Sequence, residues 1–250
     1  YCIDNETKGE AEWGEYWATF IKARAYRVGK TVMVTEMWDA WNLTSEEHKR
    51  TFDHPELYDF VDVSQNNQNK GQKHWDNFLY VREYLASSPR PMNTTKTYGA
   101  DGNKFGHSDQ DGIERFWRHL LAGASSIRFH RPDSGLGLSD KSVHFIQAAR
   151  ILESHVKLWE VDPANKLISS RDANEAFLSV SKQQDAFALF FPAAKGVSVT
   201  LDLTDTTGEF TVHWFNIESG KAEKTDVVSA GETLNISPPG AGNFAAAIVR

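Results

Sequence analysis

The sequence predicts an α/β protein in two parts: a partial, incomplete TIM-like barrel of about five β/α units, then a C-terminal antiparallel β-sandwich. Up to about residue 162, short apolar runs alternate with segments of helical periodicity, which is typical of parallel β/α units. Beyond Pro163, apolar residues alternate with period two between turn signals, which is typical of antiparallel strands. The expected domains are residues 1–162 and 163–250. A closed barrel of this type has eight strands, so about five units make it incomplete.

The barrel part alternates five expected strands with helices. The strands are expected at residues 1–4, 31–36, 60–64, 91–98 and 125–130. Apolar residues spaced by three and four predict helices from Trp13 to Gly29, over about 72–87, from Asp109 as N-cap to Gly123, and from Ser139 to about Leu158. Trp13, Trp17 and Trp117 lie on the apolar helix faces, so we expect them in the core.

The C-terminal part offers five runs with strand periodicity. They are expected at residues 176–181, 185–191, 197–203, 209–215 and 243–249. Turn signals at 205–208 and 218–220 fall where hairpin turns would join neighbouring strands. These runs predict the sandwich.

Composition excludes several classes of function. The net charge of -7 and the lack of a Lys/Arg run argue against nucleic-acid binding. Apolar stretches are far shorter than the roughly 20 residues of a membrane-spanning helix, so no membrane association is expected. A single cysteine, Cys2, excludes an internal disulfide and a cysteine-based zinc site, and no motif predicts a metal or cofactor.

Because the chain starts at Tyr1 without an apolar leader, we interpret it as a processed or partial chain.

Polar and aromatic side chains follow the predicted barrel strands. In parallel β/α barrels the active site lies at the carboxyl ends of the strands. Carboxylates, amides, cations and aromatic rings at one mouth suit a sugar, whose hydroxyls need polar partners and whose C–H faces stack on rings. The candidates are Asn5 and Glu6, Glu36, Trp38 and Asp39, Asn66, Lys96 and Tyr98, and Arg128, His130 and Arg131.

Three stretches carry a resemblance to a known group. Asn5-Glu6 after a strand resembles the Asn-Glu that ends the fourth strand in a large clan of retaining glycoside hydrolases. Residues 196–203 and 210–216 resemble the C-terminal sandwich, often labelled collagen-binding, that follows such barrels in bacterial enzymes. The resemblance implies a bacterial carbohydrate-degrading hydrolase with Glu6 as general acid/base and Asn5 in contact with the sugar.

The second carboxylate of that clan is missing from its expected position. By counting strands, the nucleophilic Glu would end the run 90–96, where this chain has Lys96. Retaining glycosidases need two carboxyl groups about 5–5.5 Å apart, and inverting ones about 6.5–9.5 Å apart. Because neighbouring strands lie about 4.8 Å apart, Glu36 is the expected partner of Glu6, as nucleophile or base. Asp39 and Asp101 are the alternatives.

Structural roles compete with these assignments. Glu6 and Glu36 could each cap a helix, Lys96 could form a structural ion pair, and His130 could be a hydrogen-bonded core histidine. Trp38 and Trp41 follow a strand end and are expected to stack on sugar.

Three functions therefore stay open: a hydrolase, a non-catalytic carbohydrate-binding protein derived from one, and a stable truncation with neither role. Lys96, Arg128, His130 and Arg131 favour an anionic sugar as the substrate. An incomplete barrel exposes sheet edges and apolar surface, so we expect a homodimer or another chain to cover its open side. The resemblance also implies a secreted or periplasmic location.

Overall fold

The computed structural model describes residues 1–102, 104–132, 135 and 137–250, which divide into two compact units. Unit 1 comprises Tyr1–Thr97 and Ala124–Arg128, and unit 2 comprises Tyr98–Gly123 and Phe129–Arg250. The predicted α/β class is confirmed, since unit 1 contains parallel strands and unit 2 antiparallel sheets. The domain boundary near residue 162 stays a prediction.

Unit 1 combines short strands with three helices. The helices are α1 (Ala11–Arg27), α2 (Glu46–Phe52) and α3 (Gly71–Tyr84). The strands are β1 (Val61–Asp62), β2 (Met92–Thr97) and β3 (Ser126–Phe129), in the order β1-β2-β3, with Phe129 counted in unit 2. β1 and β2 run parallel, as the β/α pattern predicts.

The two strands expected before β1 are reduced to isolated parallel bridges. Cys2 pairs with Thr35, and Thr7 pairs with Trp38. The amide of Asp39 donates to the Thr7 carbonyl, which closes this pairing at its carboxyl end. The predictions for 1–4 and 31–36 were therefore right in direction and too long in extent. Glu6 and Asp39 lie at the same end of two neighbouring parallel segments.

Helix α1 buries small residues and exposes aromatic ones. Gly14, Ala18 and Ala25 form its buried face, and Ala18 packs with Val34 and Tyr58. Trp13 is 57% exposed, so the prediction that it lies in the core is wrong. Small side chains let the helix approach the strands closely, which turns the bulky rings to the opposite face.

Unit 2 contains two helices and nine strands within the described residues. The helices are α4 (Asp109–Ala122) and α5 (Asp140–His155). The strands are β4 (Val161–Pro163), β5 (Ile168–Ser169), β6 (Phe177–Ser181), β7 (Ala186–Ala194), β8 (Val199–Asp202), β9 (Glu209–Asn216), β10 (Lys221–Ser229), β11 (Thr233–Ile236) and β12 (Gly242–Val249). One sheet has the order β10-β9-β12-β7-β6-β4 and the other β11-β8-β5.

The core of unit 2 is apolar and draws on both sheets. One buried cluster contains Phe187 and Phe191 of β7 together with Leu201 of β8 and Ile236 of β11. Trp117 of α4 is fully buried, as predicted, and stacks on a phenylalanine of β7. No helix in the described part of the chain is both long and apolar enough to cross a membrane.

Helix α4 begins one residue earlier than the sequence predicts. Its N-cap is Ser108, whose hydroxyl accepts from the Asp111 amide while the Asp111 carboxylate accepts from the Ser108 amide. This reciprocal capping box takes the place of the expected Asp109 cap. Gly123 ends the helix with φ 91°, in the left-handed conformation that was predicted for it.

Candidate functional site

Glu6 lies at the carboxyl end of the first parallel segment of unit 1. Its backbone has φ 58°, a left-handed conformation that is unfavourable for a residue with a Cβ. Its side chain is 37% exposed, so a ligand can reach the carboxylate. Strained backbone of this kind is common at functional sites, because it aims a side chain that regular strand geometry would point elsewhere.

Gln65 connects Glu6 to Asp39. Its Nε2 atom donates to Glu6 Oε1 at 2.9 Å and to Asp39 Oδ1 at 3.1 Å. Gln65 is 5% exposed and belongs to the 3-10 turn Ser64–Gln68, which follows β1. One buried amide thus holds two carboxylates from neighbouring segments within reach of the same ligand.

Each of these carboxylates also contacts a lysine. Lys96 Nζ of β2 lies 2.6 Å from Glu6 Oε1, and its side chain is only 16% exposed. Lys8 Nζ lies 2.9 Å from Asp39 Oδ2 and is largely exposed. The contact with Asp39 raises the pKa of Lys8. We call the polar cluster formed by these side chains the Glu6–Asp39 cluster; its members are Glu6, Lys8, Asp39, Gln65 and Lys96.

Asp62 lies on β1, just before the turn that carries Gln65. It is 4% exposed, and its Oδ1 accepts from the Ser64 amide at 2.8 Å. Burial raises its pKa to about 6, although the charge of Lys96 acts in the opposite direction. Asp62 is therefore a buried titratable group close to Lys96.

Glu36 has a different environment from the one that the sequence predicts. It is 2% exposed, and its Oε2 accepts from Tyr58 Oη at 3.1 Å. A Cβ added at Gly14 of α1 would lie 1.8 Å from the same oxygen, so the carboxylate packs directly on the helix backbone. Burial raises the pKa of Glu36. Val34 and Glu36 are two residues apart, and both side chains pack against helix α1. Packing beneath a helix indicates a structural role for Glu36.

Trp38 and Asn66 are buried by contacts within unit 1. Trp38 is 2% exposed, donates from Nε1 to Thr51 Oγ1 at 2.8 Å, and has the Arg50 guanidinium 5.2 Å above its ring. This leaves little ring surface for the predicted stacking on sugar. Asn66 is fully buried and donates to the His74 carbonyl at 2.8 Å, which fixes the turn and keeps its amide away from solvent.

The structure distributes the remaining predicted residues between the two units. Asn5 and Arg128 of unit 1 and Arg131 of unit 2 are exposed. Tyr98 and His130 lie together in unit 2, with ring centroids 4.8 Å apart. His130 Nδ1 lies 3.5 Å from Asp101 Oδ2, and the Asp101 side chain is fully buried. Asp101, an alternative partner for Glu6 in the sequence, is thus the partner of His130.

A groove of about 560 Å³ lies beside Asp39 in unit 1. Its lining includes Lys8, Trp38 and Asp39, and also Trp41, which is 63% exposed. Within the described residues, no three His, Cys, Asp or Glu side chains are placed to hold a metal ion.

Sequence reasoning missed Gln65 and Lys8 as members of the site. Gln65 belongs to the polar run 64–67 after β1, in which the sequence points to Asn66 as the site residue. Periodicity cannot distinguish the two, because the 3-10 turn decides which amide points to the cluster. The exposed Lys8 has no signal beyond its nearness to Glu6.

Comparison with known proteins supports the fold. No family model and no curated protein matches the chain. Three similar solved structures are a glycoside hydrolase (11% identity, TM-score 0.64, covering 96% of this chain and 69% of that one), a glycoside hydrolase of family 5 from Bacteroides vulgatus (10%, 0.62, 96% and 66%) and a maltogenic α-amylase from Thermotoga neapolitana (11%, 0.56, 99% and 60%). The chain therefore has a glycoside hydrolase-like fold and spans 60–69% of the length of these structures.

Proposed function

We propose that this protein is a glycoside hydrolase whose reacting carboxylates are Glu6 and Asp39. The observation that carries the proposal is the shared donor Gln65 Nε2, which binds one oxygen of each carboxylate. These two oxygens can be no farther apart than the sum of 2.9 and 3.1 Å, about 6 Å. That limit is compatible with the spacing of about 5–5.5 Å between the carboxyl groups of retaining enzymes.

The cluster suggests a role for each carboxylate. Glu6 is the general acid/base, as its resemblance to the Asn-Glu motif implies. Asp39, held by the Lys8 ammonium at 2.9 Å, is suited to act as the ionised nucleophile. Gln65 positions both groups, and its burial restrains its rotamers.

Asp39 replaces Glu36 as the proposed partner of Glu6. Glu36 is held by Tyr58 and packed on Gly14, and both contacts support a structural role. Its raised pKa has burial as the main cause, which is common for carboxyl groups beneath a helix.

Conservative variants test the assignment. Glu6→Gln and Asp39→Asn should each lower kcat by about 10²–10⁴-fold on a substrate found among aryl glycosides and polysaccharides. Glu36→Gln is the matched control and should keep kcat once loss of stability is corrected for. Full activity in Asp39→Asn with loss in Glu36→Gln would return the role to Glu36.

The second candidate function is non-catalytic carbohydrate binding. It is favoured by Lys96, whose ammonium lies 2.6 Å from the Glu6 carboxylate. An ammonium in contact with a carboxylate favours its anionic form, whereas a general acid must carry a proton. If the panel yields no cleavage while oligosaccharides bind, and Glu6→Gln weakens that binding, this second function is correct.

The proposal of an anionic substrate has less support than that of a sugar substrate. Four cationic side chains favour an anionic sugar in the sequence. Of these, Lys96 is paired with Glu6, while Arg128 and Arg131 are exposed. Comparing kcat/KM on uronic-acid and neutral aryl glycosides decides the point, and equal values would remove the preference for an anion.

The finer architecture and the assembly also remain proposals. Backbone hydrogen bonds link the successive parallel segments of unit 1, which supports a partial barrel, and the shared apolar cluster of unit 2 supports a sandwich. The collagen-binding label of that sandwich and a secreted or periplasmic location rest on the resemblance alone.

Exposed aromatic residues on α1 support a homodimer. Light scattering at low concentration tests it, and a monomer would refute it.

A further inference from the structure

The groove beside Asp39 contains a single well-exposed aromatic ring. Trp41 is 63% exposed and forms part of the lining. Its backbone is fixed, because the buried Asn69 donates from Nδ2 to the Trp41 carbonyl at 2.8 Å. A large ring on an anchored backbone, next to polar side chains, provides a flat apolar surface for the C–H face of a sugar.

Another lining residue of the groove, Arg50, makes two contacts within unit 1. Arg50 lies over the buried Trp38 ring and donates from Nη1 to the Gly9 carbonyl at 3.3 Å. Trp38 is itself held by Thr51. Arg50 is exposed, and its remaining guanidinium N–H groups can donate hydrogen bonds to sugar hydroxyls.

The charges of the lining cancel. Lys8 and Arg50 are balanced by Asp39 and Glu47, and Lys8 and Asp39 already form an ion pair. An anionic group would approach two carboxylates, and a cationic group would approach two cations. An uncharged ring with several hydroxyls can accept and donate hydrogen bonds here without introducing a charge.

We infer that this groove is a subsite for a neutral sugar unit, with Trp41 as the stacking surface and Arg50 as a hydrogen-bond donor. The inference rests on the proposed function in that it places this unit next to the one held at Glu6 and Asp39. It deepens that proposal, since a neutral unit here would confine any anionic preference of the substrate to other positions.

The test measures binding in the Glu6→Gln background, so that turnover does not interfere, and in the wild type if the wild type hydrolyses none of the sugars. Neutral xylo-, cello-, manno- and arabino-oligosaccharides and oligogalacturonides are titrated and followed by calorimetry. Trp41→Ala should weaken binding of the best neutral oligosaccharide by about 5–10-fold, and Trp41→Phe by less. Trp159→Ala is the matched control, since this ring is 70% exposed in unit 2 and outside the groove lining, and it should leave the affinity unchanged.

Each outcome bears on the inference. Loss of affinity in Trp41→Ala alone supports the subsite, even if no hydrolysis is found and the proposed catalysis fails. Unchanged affinity in Trp41→Ala overturns it, even if Glu6 and Asp39 prove catalytic. Binding of oligogalacturonides in preference to every neutral oligosaccharide, with the preference lost in Arg50→Gln, would also overturn it. So would the absence of binding by every sugar tested.

Discussion

The parallel strands of unit 1 and the antiparallel strands of unit 2 are stabilised in different ways. In unit 1 the strands are two to six residues long or single bridges, and buried polar groups such as Glu36, Asp62 and Asn66 lie among them. In unit 2 strands such as β7 and β12 are eight or nine residues long and surround an apolar cluster. The carboxylates proposed to react therefore lie in unit 1, among short strands and buried polar groups.

The largest expected effect is a break in the apolar core of unit 2. Phe191 is fully buried and contacts Trp214, with ring centroids 5.7 Å apart. Phe191→Ala should lower the free energy of unfolding by about 3–5 kcal/mol, because it removes a large ring and leaves a cavity. Urea unfolding measures this, with the exposed Trp159→Ala as control. A loss below about 1 kcal/mol would mean that the apolar cluster does not dominate stability.

The next expected effect is the pH dependence of stability that Asp62 introduces into unit 1. Burial raises its pKa in the folded state from 3.8 to about 6. The folded state therefore binds more protons than the unfolded state between these values, so the contribution of Asp62 to stability is fully present below about pH 4 and is lost as pH rises through about 6. The contribution is about 2–3 kcal/mol.

Asp62→Asn isolates that contribution. The difference in unfolding free energy between wild type and variant should change across pH 4–7 in favour of the variant at the higher pH. Denaturant unfolding at several pH values measures the difference. A difference that is constant with pH would mean that Asp62 has an ordinary pKa, and that the buried polar groups of unit 1 are better solvated than their exposure suggests.

A smaller effect is expected at Gly14, where α1 contacts the Glu36 carboxylate. Alanine in a helix interior is ordinarily more stable than glycine by about 0.5–1 kcal/mol. Here the new Cβ would lie 1.8 Å from Glu36 Oε2, so Gly14→Ala should destabilise by about 1–3 kcal/mol. In a Glu36→Ala background the same change should destabilise by less, although Tyr58 Oη would still lie 2.9 Å from the new Cβ. Equal effects of Gly14→Ala in both backgrounds would show that Glu36 does not occupy this contact.

What the sequence could predict differs between unit 1 and unit 2. The strand-like runs located β6, β7, β9 and β12; β9 alternates between buried and less buried residues over most of its length, whereas β6, β7 and β12 are buried along most of theirs. The same pattern missed β10, whose side chains are mostly exposed. In unit 1 the sequence predicts Glu6 and Asp39 as site residues, since polar residues after apolar runs follow the strand ends. The sequence favours Glu36 over Asp39 as the partner of Glu6, because spacing along a chain does not tell on which face of the strand a carboxylate lies.

The smallest expected effect concerns the start of α4, where the N-cap in the structure differs by one residue from the one that the sequence predicts. The sequence favours Asp109 as the N-cap, whereas in the structure Ser108 caps the helix reciprocally with Asp111. Ser108→Ala should therefore lower the free energy of unfolding by about 1 kcal/mol, since it removes a side-chain acceptor from the first turn. Asp109→Ala should lower it by no more than about 0.5 kcal/mol, because Asp109 contributes a charge near the helix N-terminus and an exposed ion pair with Lys141. Thermal or urea unfolding of the two variants ranks them, and the reverse order would place the cap at Asp109. The comparison is informative because α4 packs on the regular strands of unit 2, so a helix that begins one residue later would rotate no buried side chain and would change stability only through its cap.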